Sequence, residues 1–122
     1  MNARVPSQVL QPELALQRVS QAWDSDIVRQ LTDYIAIPAK SPTFAADWAE
    51  LGLLDTVVRN AAAWVESQKV EGLTLEIVRL EGRTPVLFFE IAATQSHATD
   101  TVLMYGHLDK QPEFSGWRSD LG

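Results

Sequence analysis

The chain has no cysteine. Disulfides are therefore excluded, together with every metal site built on thiolates, so a metal here could be held only by histidine nitrogen and carboxylate oxygen. Histidine is itself scarce, with two in 122 residues, and each can be weighed singly. Positive charge is in deficit: ten basic against sixteen acidic side chains leave a formal net charge of −6. That balance offers no basic patch to a nucleic acid or an anionic membrane surface. No apolar run approaches the roughly 20 residues that span a bilayer. The N-terminus also lacks the basic-then-apolar layout of a secretory signal, so a soluble, cytoplasmic protein is the default expectation. What remains is ordinary globular composition, 46% hydrophobic and 21% charged, in a chain long enough for one domain with a core and too short for two. There is no internal repeat and no low-complexity tract.

Residues 1–22 contain Pro6, Pro12 and several glutamines. Glu13 to Trp23 can be helical, with Leu14, Leu16, Val19 and Trp23 apolar, but their spacing is loose, and the segment reads as a leader that packs against the domain at most. Asp24 or Ser25 can cap a helix running to about Ile37, where Ile27, Val28, Leu31, Tyr34 and Ile35 recur on one face and Pro38 ends it. Residues 39–52 read as a connection, its Phe44 and Trp48 pinning it to the body. A second helix is predicted from about Leu53 to Val70. Its apolar stripe is Leu54, Val57, Val58, Ala61, Ala62 and Val65, Asp55 and Arg59 form an i,i+4 pair on it, and Gly72 stops it.

The periodicity then changes. Leu73, Leu75 and Ile77 alternate with Thr74, Glu76 and Val78, which predicts a half-buried strand. Glu81-Gly82-Arg83 turns the chain into a second strand, Val86–Ala92, so that 73–92 forms a hairpin. Thr101–Tyr105 is apolar at nearly every position, which predicts a central parallel strand buried on both faces. The expected sheet has Leu73–Val78 at its periphery and the Thr101–Tyr105 strand inside. Helices followed by strands in this order suit an α/β domain with a mixed sheet.

At the end of the third run, Gly106 is followed by His107 and Asp109. Residues i and i+2 of extended chain project to one side, whereas on a helix they diverge by roughly 200°. At a strand end the two side chains can face one site, and the carboxyl end of a buried strand is where open α/β sheets place ligands. A histidine held by a carboxylate through one ring nitrogen can give the other to a metal. His-x-Asp alone is too short to be specific, and from spacing alone the plainer reading is a strand-end histidine bonded to a neighbouring acid, without metal. His97 cannot share a metal with His107. The two flank the predicted strand, whose five residues separate its ends by about 16 Å, so His97 reads as a loop histidine.

Val102-Leu103-Met104-Tyr105-Gly106-His107-Leu108-Asp109-Lys110-Gln111-Pro112, followed by Gly116-Trp117, resembles the first metal-binding motif of a zinc-dependent peptidase family. That family includes carnosinase-like dipeptidases, aminoacylases and glutamate-releasing carboxypeptidases. The resemblance implies that His107 binds one of two zinc ions and that Asp109 is the catalytic-site carboxylate supporting it. It also implies the N-terminal part of a mixed-sheet catalytic domain, with a peptide or N-acyl amino acid as substrate and a homodimer as an allowed state of the full-length enzyme. Lys110 departs from the small apolar residue usual at that position, and Arg118-Ser119-Asp120-Leu121 match only loosely. The family's bridging aspartate, general-base glutamate and remaining ligands come later in sequence. With the chain breaking off in a loop at Asp120-Leu121-Gly122, the expectation is an N-terminal piece of a longer hydrolase, inactive by itself. Two other readings stay open: a metal-free homologue acting as a binding module, and a small α/β domain that is not an enzyme.

Overall fold

The computed structural model describes residues 11–95, 98 and 100–120. It combines helices with a two-stranded antiparallel sheet, an α/β composition in the coarse sense. The chain divides at Ala36 into two compact units. No helix among the described residues is long and apolar enough to cross a membrane. The first ten residues, and His97 with its expected loop position, lie outside the described residues.

In the first unit, α1 (Pro12–Ala22) runs through a wide π turn at Trp23–Ile27 into α2 (Val28–Ala36). Pro12 stands at its start, where a missing N–H costs nothing. The helix break expected at Asp24 or Ser25 does not occur. Ser25 Oγ donates to the Gln21 carbonyl at 2.8 Å, so its hydroxyl is spent inside a continuing helix instead of capping a new one. The Val28 N–H reaches back to Trp23 O, five residues instead of four, which absorbs one extra residue. An α-helix advances about 100° per residue, and this insertion rotates everything beyond it by about that amount. Val28, Leu31 and Ile35 thereby come onto the stripe of Leu16, Val19 and Trp23, where an uninterrupted helix would leave them roughly 100° away. The loose spacing that made 12–22 read as a leader is one half of this rephased pattern. The six side chains remain 40–67% exposed, and no described residue of the unit is buried.

The second unit opens with two successive i→i+2 turns, Ala39 N–H to Ile37 O and Lys40 N–H to Pro38 O. What reads from sequence as a plain connection holds a short helix, α3 (Trp48–Leu51); of the two aromatics expected to pin it, Trp48 is half-buried and Phe44 is 50% exposed. Gly52, at φ +64°, joins α3 to α4 (Leu53–Ser67), a left-handed conformation that glycine adopts without penalty. Leu54, Val57, Val58 and Ala62 of α4 are buried and, with Ala39, make up the buried apolar core of the described residues. The predicted stripe is thus the face that packs on the hairpin. The helix ends sooner than expected. Lys69 takes φ +52° and stops it, and Gly72 instead sits in the turn just before β1, close enough to Ala92 for their backbones to bond at 3.1 Å.

β1 (Leu73–Val78) pairs with β2 (Val86–Ile91) in antiparallel register, Leu75 opposite Phe89 and Ile77 opposite Leu87. Leu73, Leu75 and Ile77 are half-buried while Thr74 and Glu76 face solvent, as their alternation predicts. Asp55 of α4 ties the helix to the strand end, accepting from Arg79 Nε at 2.9 Å while also pairing with Arg59 at 3.0 Å.

The sheet order requires correction. Thr101–Tyr105 forms no strand, and it does not lie inside the sheet. Val102, Leu103, Met104 and Tyr105 are 85–90% exposed. An apolar run makes burial favourable but does not supply the flanking strands that burial on two faces demands. β2, with no strand on its far side among the described residues, is accordingly exposed at every position but Leu87.

Candidate functional site

His107 and Asp109 project to the same side of an extended segment, and the structure brings them into contact. His107 Nδ1 lies 3.2 Å from Asp109 Oδ1 and 3.1 Å from the Asp109 carbonyl oxygen. A backbone carbonyl can only accept, so Nδ1 carries a proton, and in the neutral ring Nε2 then keeps the lone pair. This is the tautomer a metal-ligating imidazole needs, fixed through the nitrogen that does not ligate. The His107 side chain is 67% exposed. It stands on an uncovered segment, and the cleft at the end of a central strand that the sequence suggested is not its setting.

The segment after His107 is better anchored than the one before it. Lys110 forms a parallel bridge with Lys40: its N–H donates to Ala39 O and its carbonyl accepts from the Ser41 N–H, both at 2.9 Å. Lys110 Nζ donates to the Ile37 carbonyl at 2.6 Å, and partial burial lowers the pKa of this ammonium from its usual 10.5. Lys40 Nζ bonds Glu113 Oε2 at 2.9 Å, and that hydrogen bond holds the Glu113 carboxyl below its ordinary 4.5. Residues 37–41 are therefore the scaffold on which the His107–Asp109 segment rests. The sequence reading missed this because segments 73 residues apart carry no periodicity linking them.

The pair fits one ligand position of a zinc site through His107 Nε2. Among the described residues no group of three or more His, Cys, Asp or Glu side chains is placed to hold a metal ion. A catalytic zinc takes three protein ligands, more than the described residues bring together. No protein-family model and no curated protein matches the chain.

Proposed function

We propose that this chain is the N-terminal part of the catalytic domain of a zinc-dependent hydrolase acting on peptide or N-acyl amino-acid bonds, a dipeptidase, aminoacylase or carboxypeptidase in type. The single observation that carries this is the double contact at His107 Nδ1, which in the neutral ring leaves the lone pair on Nε2 for a ligand. It supports the reading together with the motif resemblance around it. His107 is the metal ligand and Asp109 its orienting carboxylate. Two zinc ions, when bound, supply Lewis acidity for hydrolysis. The remaining ligands and the general base come from elsewhere in the full-length enzyme, which acts in the cytoplasm on small substrates and not on nucleic acid or membrane.

The test is a zinc titration of the chain read at the imidazole nitrogens by NMR, paired with hydrolysis by the full-length enzyme. Weak binding that perturbs His107 Nε2 is expected, since one ligand cannot make a tight site, and His107→Ala should abolish both the perturbation and turnover. Asp109→Ala should cost about 10–100-fold in metal affinity. Wild-type turnover with full zinc occupancy in His107→Ala would defeat the assignment, as would sub-micromolar zinc binding by the chain that survives this substitution. Absence of both zinc binding and hydrolysis in the wild-type full-length protein would instead favour the metal-free module.

A further inference from the structure

The peptide unit joining Asp109 to Lys110 is held from both ends. Its carbonyl accepts from His107 Nδ1 at 3.1 Å, and its N–H donates to Ala39 O at 2.9 Å. One rigid amide plane thus connects the imidazole to a residue that is 1% exposed. Any tilt of that plane moves the acceptor away from Nδ1, so the orientation of the ring depends on how residues 37–41 are held. Here the lysine side chain enters. The Ile37 carbonyl receives the Ala39 N–H at 2.8 Å and Lys110 Nζ at 2.6 Å, which occupies both of its lone pairs. Lys110 therefore grips the 37–41 segment twice, through its backbone at Ala39 and Ser41 and through its ammonium at Ile37. A charged donor makes the stronger kind of hydrogen bond. The small apolar residue usual at this position in the resembled motif could make the backbone bridge but not the ammonium link.

We propose that Lys110 is a positioning residue, whose ammonium locks the 37–41 segment to the motif and thereby holds His107 with its proton on Nδ1 and Nε2 presented to a ligand. It touches neither substrate nor metal; it acts through the Asp109–Lys110 peptide. The consequence for zinc rests on the proposed role of His107, but the consequence for the ring does not.

The two are separated by measuring both on the 122-residue chain. Long-range proton–nitrogen NMR at mildly alkaline pH, without metal, reads the His107 tautomer, with His107→Ala assigning the signals. Wild type should show Nδ1–H as the dominant form. Lys110→Met keeps the aliphatic stem, loses the donor, and should relax the ring to a mixture of tautomers. Lys110→Arg, which retains a charged donor, should restore it. The amide shifts of the β1–β2 hairpin should be the same in all three, a control that a general loss of structure would fail. Zinc affinity should fall in Lys110→Met by less than the 10–100-fold typical of a direct partner of a ligand, roughly 10-fold at most. Should Lys110→Met not fold, Lys110→Gln, with a neutral donor, carries the same test and should shift the tautomer balance part of the way. An unchanged tautomer and undiminished protection of the Lys110 amide from exchange in these variants would overturn the proposal. A shifted tautomer with no zinc binding by any form would uphold the positioning role and remove the metal reading.

Discussion

Two stretches of the second unit are comparably apolar and meet opposite fates. In α4, Leu54, Val57, Val58 and Ala62 are buried; in the motif segment, Val102, Leu103, Met104 and Tyr105 are 85–90% exposed. The difference lies in what each needs in order to be covered. An amphipathic helix needs one apolar surface, and the adjacent hairpin provides it within 40 residues of sequence. A run that is apolar on both faces of a strand needs neighbours on both sides and layers above and below. The motif segment is held instead just past its apolar part, by polar contacts at Lys110, Lys40 and Glu113. One region is thus stabilised by burial, the other by hydrogen bonds and charge.

The sharpest way to break this comparison is to place one charge in each region. Val57→Asp puts a carboxylate among apolar side chains and should cost roughly 3–5 kcal/mol, enough to abolish a cooperative transition in urea. Next in size is Asp55→Asn, which removes the negative charge shared by Arg59 and Arg79. These groups are partly exposed, and a loss of about 0.5–1 kcal/mol is expected, shrinking as salt is added. Leu103→Asp, by contrast, should change the urea midpoint by no more than about 0.5 kcal/mol. A penalty matching that of Val57→Asp would mean that the motif segment is covered in the folded protein, and the contrast would collapse.

The smallest effect concerns acid. Glu113 has a folded pKa depressed below 4.5 by its bond from Lys40. Its contribution is therefore complete above the ordinary value and is lost as pH falls through the depressed one. Carboxyl carbon shifts should show Glu113 titrating below 4.5, and Lys40→Met should return it to the ordinary range. Because Glu113 is exposed, the change should be local, leaving the α4–hairpin signals unmoved.

Local periodicity by itself determined much of this protein. The β1 bounds follow from alternation, the α4 stripe from helical spacing, and the hairpin from Gly82 between two strand patterns. The contact between His107 and Asp109 was equally legible, because extended geometry sends i and i+2 to the same side whatever surrounds them. The tertiary structure decided the rest. A π turn rephases two apolar stripes that looked unrelated, and its extra residue has no signature in composition. Lys69, not Gly72, ends α4. The strand expected at 101–105 is unpaired, because hydrophobicity fixes a preference for burial while partners alone can satisfy it. The bridge between 37–41 and Lys110 joins two segments whose encounter depends on the path of everything between them, which is why no local pattern announces it.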